Sequence, residues 1–118
     1  SMLVIQAQSD LYEVRKMIHK IGFFIENEKF CMDAGKPYLV MRAVRGEEKT
    51  PYEPAEYEYG RLLPEVSDTA YRKFLLDERD KKMKLQETLN MQKTSGAGAR
   101  VEELTEEITG LNWILNKF

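Results

Sequence analysis

The sequence predicts an α/β fold: a strand, a helix and an antiparallel β-hairpin, followed by two helices. Three observations predict it. Leu39-Val40-Met41-Arg42-Ala43-Val44 opens with three apolar residues in a row, the pattern of a strand covered on both faces. Leu11, Val14, Met17, Ile18 and Ile21 recur at helical spacing. Val101, Leu104, Ile108, Leu111, Leu115 and Phe118 alternate in steps of three and four. A strand such as 39–44 needs neighbours on both edges. The residues ahead of it suffice for two short strands and one helix. The chain therefore reads as part of a larger sheet whose first half is absent.

Leu3-Val4-Ile5 is a short β-branched run and reads as a buried strand ending at Gln6. Ser9 or Asp10 then caps a helix by accepting free backbone N–H groups. Its apolar stripe leaves Arg15, Lys16 and Lys20 to the side, and Gly22 stops it. Residues 23–32 read as an edge strand with mixed faces, Phe24, Glu26, Glu28 and Phe30 lying on one of them. Asp33-Ala34-Gly35 is a hairpin turn in which Gly35 supplies a positive φ. Pro37 lacks an N–H and belongs at the start of the next strand. These elements make a first unit, 3–46.

Residues 47–67 form a second unit. Pro51, Pro54, Gly60 and Pro64 predict a loop, and Tyr52, Tyr57 and Tyr59 predict that it packs down on the sheet. The third unit, 68–118, is helical. Asp68 is its N-cap, and Tyr71, Leu75, Glu78, Lys82, Leu85, Leu89 and Gln92 trace a seam that weakens in its middle. Residues 93–99 are small and flexible and predict a connector, so the two helices fold back as an antiparallel coiled-coil hairpin.

Composition narrows the function classes. With 42% apolar and 32% charged residues the chain is a soluble, folded one. A net charge of -2 gives no global attraction to nucleic acid, so any RNA contact needs a local basic face. Cys31 is the single cysteine and permits no internal disulfide, which points to a reducing, cytoplasmic setting. No run is long and apolar enough to span a membrane, and no secretory signal is visible. Ser1-Met2 reads as a remnant set directly before a strand, which suggests a trimmed chain.

No GxGxxG, no phosphate-binding GxxxxGK[ST] and no Cys/His cluster with metal spacing occurs. His19 and Cys31 have no catalytic neighbours in the pattern and read as packing residues. Glu102, Glu103, Glu106 and Glu107 fall on outer heptad positions and read as a solvated face. Arg72, Lys73, Arg79, Lys81, Lys82 and Lys84 crowd one helix. Ordinary helix surface explains such a run, and an RNA-backbone contact is the sharper reading.

The order of these features is similar to that of one family. Leu3-Val4-Ile5-Gln6-Ala7-Gln8 resembles the Leu-Ile-Leu-Gln-Pro-Asn strand and turn of bacterial tRNA adenine-N1 methyltransferases, which act on an adenine in the D-loop region. Arg15-Lys16-Met17-Ile18 and Ile21-Gly22-Phe23-Phe24-Ile25 resemble that family's Arg-x-Trp-Leu and Asn-Gly-Tyr-x-Ile. Residues 33–43 resemble its Glu-Asp-Gly-Lys-x-Tyr hairpin, with Ala34 added, and Tyr59-Gly60-Arg61-Leu62-Leu63 its Gly-Pro-x-Leu-Leu. Ala7 and Gln8 stand where the family has Pro and Asn, and Arg61 where it has Pro.

The resemblance implies the fifth, sixth and seventh strands of a Rossmann-like methyltransferase sheet followed by a helical hairpin. It implies S-adenosylmethionine as cofactor of the intact parent, held by segments upstream of residue 1, with none bound here and no activity of this piece alone. It implies tRNA as partner and places Gln6 and Gln8 on the active-site rim, at the carboxyl end of a strand. Arg72, Lys73, Arg79, Lys81 and Lys82 are then the RNA-binding candidates. The other reading is a non-catalytic module whose hairpin binds a protein partner. An apolar strand at 3–6 with one free edge predicts self-association there or through the helices.

Overall fold

The computed structural model describes residues 1–92 and 96–118. Three strands form one sheet: β1 (Met2–Ala7), β2 (Phe23–Asp33) and β3 (Lys36–Arg45), in the order β1-β3-β2. β3 is antiparallel to both neighbours, with Ile5 opposite Met41 and Phe30 opposite Leu39. Helix α1 (Leu11–Lys20) joins β1 to β2. Among the described residues nothing pairs with the outer edge of β1.

The central position of β3 agrees with its apolar sequence, but only one of its faces is covered. Leu39, Met41 and Ala43 are buried, whereas Val40 and Val44 are half-buried and Arg42 is exposed beside Glu26, 2.8 Å away. The covered face meets Ile18 of α1 and residues of the later helices in one core. Side chains alternate across a strand, so helices on one side shield every second residue only.

Two faces differ from the sequence reading. Of the predicted apolar stripe, Met17 in α1 and Ile21 just past its end are 60% and 50% exposed, while Arg15 is completely buried. The helix rolls to set Arg15 and Ile18 inward. In β2 a bulge between Ile25 and Asn27 places an extra residue, Glu26, in the strand. A bulge shifts the side-chain alternation by one. Phe23 and Ile25 point inward before it, Glu28 and Phe30 after it. Glu28 thereby becomes a buried carboxylate.

The hairpin turn is tight. Asp33 pairs with Lys36, leaving Ala34 and Gly35 as the two loop residues, with φ of 50° and 79°. Positive φ at both positions is what a type I′ hairpin demands.

The stretch predicted as loop contains two short helices, α2 (Pro54–Tyr59) and α3 (Leu62–Glu65). Proline stops a helix from within but suits its first turn, where no N–H partner is required. Pro54 starts α2, and the side chains of Glu53 and Glu56 form a reciprocal cap. Tyr52 packs into the core, with Tyr57 and Tyr59 half-buried beside it.

Helix α4 (Thr69–Gln92) begins with the Tyr71 N–H donating to the Asp68 carboxylate at 2.9 Å. Helix α5 (Ala97–Leu115) returns alongside it in the opposite direction. Arg79 reaches Asn112, and further along α4 Gln86 reaches Thr105 and Val101. Tyr71 and Leu75 of α4 and Leu104, Leu111 and Ile114 of α5 are buried. Ile114 lies off the predicted seam, and Leu115 on it is half-buried. Of the predicted 93–99 connector, 93–95 lie outside the described residues, and from Ala97 the chain is helical.

Candidate functional site

Open α/β sheets bind ligands beyond the carboxyl ends of their strands. At that end of β1 the chain runs Gln6-Ala7-Gln8-Ser9-Asp10 into α1. Gln6 is exposed on the uncovered face, opposite Val40. Gln8 is exposed one step past the strand and edges a niche of about 50 Å³ with Phe30, Tyr38, Tyr71 and Phe74. Asp10 adopts φ 55° and makes no side-chain cap to the helix. Its carboxylate is left to solvent at the same end. The turn offers polar side chains but no glycine to let a phosphate or nucleoside approach the backbone.

The basic residues of α4 divide into two groups. Arg72, Lys73, Lys81 and Lys84 are exposed. Arg79 donates to Asn112 at 2.8 Å, and Lys82 lies 3.5 Å from Glu107, so both are spent on α5. At 3.6 residues per turn, Lys84 lies about 20° and Lys81 about 80° around the axis from Lys73, and Lys82 about 180°. Lys73, Lys81 and Lys84 therefore share one solvent-facing side.

A polar network ties the α2 segment to α1 and β2. Arg15 donates to Glu28 at 2.7 Å and to the carbonyl of Tyr57 at 2.7 Å. His19 Nδ1 lies 2.7 Å from the Tyr57 hydroxyl, and its Nε2 lies 3.8 Å from Glu48. Burial lowers the His19 pKa; Glu48 works against that and Arg61 with it. Arg61 stacks over the Tyr52 ring at 4.1 Å and clamps Glu56 at 2.7 Å. Burial pushes the Glu56 carboxyl up, but bonds from Arg61 and from the Glu53 backbone outweigh it and hold the carboxyl below its ordinary value. Among the described residues no cluster of His, Cys, Asp and Glu is set to hold a metal. No described helix is long and apolar enough to cross a membrane.

Residues 1–112 match the family described as tRNA (adenine(22)-N(1))-methyltransferase, TrmK. The chain belongs to that family. No curated protein matches it. Among solved structures it is similar to the B. subtilis m1A22 tRNA methyltransferase TrmK, with 18% identity and a TM-score of 0.81, covering 98% of this chain and 51% of that one. A protein of the NADB-Rossmann superfamily from Streptococcus agalactiae gives 20% identity and a TM-score of 0.76, covering 97% and 47%. The Streptococcus pneumoniae protein Sp1610, in complex with S-adenosyl-L-methionine, gives 19% identity and 0.73, covering 97% and 47%. At these identities the likeness shows the fold alone, which in this chain is α/β with a three-stranded antiparallel sheet. This TrmK-family chain spans about half the length of the structures it matches.

In the TrmK-family chain, then, the sequence-predicted residues fall into separate places: Gln6 and Gln8 at the β1 end, and the basic residues along α4. Sequence reasoning missed the Arg15–Glu28 pair. The only signal was an arginine between two apolar helix positions and a glutamate four residues past a Phe-Phe pair. Neither marks burial without the bulge.

Proposed function

We propose that this chain forms the C-terminal part of an S-adenosylmethionine-dependent tRNA adenine-N1 methyltransferase acting in the cytoplasm. Membership of the TrmK family over residues 1–112 carries the reading. In this reading the cofactor is held by a part of the protein other than these residues. Gln6 and Gln8 edge the reaction site from the end of β1. The α4–α5 pair acts as an antiparallel coiled-coil hairpin that assists tRNA binding. Lys73, Lys81 and Lys84, which share one side of α4, contact phosphates, and Arg79 and Lys82 brace the hairpin. The open edge of β1 and the half-exposed Val40 and Val44 are where the rest of the sheet, or a second copy, adds.

Salt-dependent tRNA binding tests it. Anisotropy should fall off with salt, because phosphate contacts release counterions. Calorimetry with S-adenosylmethionine should give no tight binding to this chain; micromolar binding would move the cofactor site into these residues. A second reading has a specific observation behind it. Met83 and Met91 are 49% and 77% exposed and about 80° apart around α4, two apolar side chains on one flank that a protein partner would cover. Absence of salt-dependent tRNA binding would select that reading.

A further inference from the structure

The two edges of the sheet differ. The β2 edge is guarded: the strand carries Glu26, Lys29 and Asp33 and a bulge at Glu26, and charges and bulges both discourage a further strand. The β1 edge has neither device. Residues 1–9 contain no charged side chain and no proline. Among the described residues nothing pairs with that edge, and Met2 and Val4 are 61% and 65% exposed there.

The ladder fixes which backbone groups of β1 are free. The Arg45 N–H donates to the Ser1 carbonyl at 3.3 Å. Bonded and non-bonded positions alternate along an antiparallel pair. Leu3 and Ile5 therefore bond to β3, and the N–H and C=O groups of Met2, Val4 and Gln6 point outward. These three positions are spaced evenly about Val4. A two-fold axis through Val4 sets it opposite the partner's Val4, and sets Met2 opposite the partner's Gln6. Each such pair joins outward-pointing groups and exchanges two hydrogen bonds.

The side chains suit the same register. Leu3 falls opposite the partner's Ile5 on the helix-covered face, at a non-hydrogen-bonded position where side chains stand closer. Leu3 and Ile5 are only half-buried, since α1 and α3 pack on β2, so the partner's Leu3 and the partner's Ile5 complete their cover. A slip of one residue would set free groups against bonded ones. No unpaired charge crosses the axis: Arg42, which lies beside Val4 on β3, is held by Glu26 at 2.8 Å.

We propose that this chain forms a symmetric dimer in which the two β1 strands pair antiparallel about Val4 and join both sheets into one. The contact is self-complementary and closes on itself, leaving only the guarded β2 edges outermost. This occupant rests on the open β1 edge of the proposed function, and the test contains no RNA, so a failure of the tRNA reading leaves it untouched.

The test is sedimentation equilibrium of the whole chain. A strand-edge contact belongs with small, weak interfaces, below about 1,200 Å², so the series runs to about 1 mM. The expected average mass climbs with concentration from 13.8 kDa toward twice that value, and added salt does not reverse it. Val4→Lys sets two ammonium groups opposite each other and should abolish the dimer, with circular dichroism on dilute samples checking the fold. Met83→Glu with Met91→Glu on α4 should leave it unchanged. Cross-linking reads the register in a Cys31→Ser background. Val4→Cys should form a disulfide between copies under mild oxidation, because facing Cα atoms stand about 5.5 Å apart. Met2→Cys should not, because its counterpart lies about 13 Å further along the strand. If Val4→Lys does not fold, the cross-linking comparison decides. A monomer at every concentration leaves the edge to a strand of another protein and overturns the proposal. So does a dimer that survives Val4→Lys, one lost in the α4 double variant, or equal cross-linking at the two cysteines.

Discussion

Arg15 on α1 and Glu28 on β2 meet at 2.7 Å with both side chains fully shielded from solvent. The same guanidinium holds the Tyr57 carbonyl, so one buried cation joins α1, β2 and α2. Gly60 lies against the pair: with φ 95°, any Cβ there would come within 3.0 Å of both side chains. Removing one partner of a buried pair strands the other charge, at a cost of about 3–5 kcal/mol. Arg15→Ala should lower unfolding free energy by that amount in urea titrations. Arg15→Met combined with Glu28→Leu should recover most of the loss, because no stranded charge remains. A single variant that unfolds like the parent would refute the account.

His19 gives the chain a pH dependence with a definite sign. Its neighbours are Tyr57, Glu48 and Arg61 around the ring edge, with Tyr52 packed against it at 4.7 Å. Burial lowers its folded pKa below the ordinary histidine value of 6.5. The unfolded chain then binds the proton first as pH falls. Stability should be full above about 6.5 and decline as pH drops from there toward the folded value. Thermal midpoints across that window should fall for the parent and stay flatter for His19→Gln. Glu48→Gln removes the group that opposes the shift, so it should widen the window. A parent midpoint that rises on acidification through this range would reverse the sign.

Much of this was legible in the sequence. The Leu39–Val44 run sits in a central strand, and Asp68 caps its helix as expected. Local chemistry decides such features: branched apolar side chains, a short carboxylate before a helix. What escaped depends on one inserted residue or one rotation. The bulge at Glu26 reverses the facing of Glu28, and the roll of α1 exchanges Met17 for Arg15. A charged residue becomes a core residue only when its partner arrives from another element, and no periodicity within one element encodes that. The α2 helix escaped because a proline breaks a helix from within, whereas Pro54 serves as the first residue of a turn.

The hairpin turn stores strain. Ala34 has a φ of 50°, a region where a Cβ costs roughly 1–2 kcal/mol. Asparagine tolerates this conformation and leads the Asn-Gly pair preferred in type I′ turns. Ala34→Asn should therefore stabilise the chain by roughly 1 kcal/mol. Ala34→Val should destabilise it, since branching at Cβ worsens the clash. Chemical denaturation of the two variants checks both. A stabilising valine would rule out the strain.

The division of cations along α4 makes the sharpest prediction for function. Arg79 and Lys82 contact α5, while Lys73, Lys81 and Lys84 face solvent on one side. Removing one phosphate-binding cation should reduce the salt slope of tRNA binding by about 0.7–0.9. Neutralising Lys73, Lys81 and Lys84 together should flatten that slope by about two units with little change in thermal midpoint. Arg79→Met should do the reverse. It breaks the bond to Asn112 between the helices and leaves the exposed cations in place. The measurements are anisotropy over a salt series and a melt of each variant. If Arg79→Met flattens the slope as much as the triple variant does, engagement with α5 is not what separates the two groups.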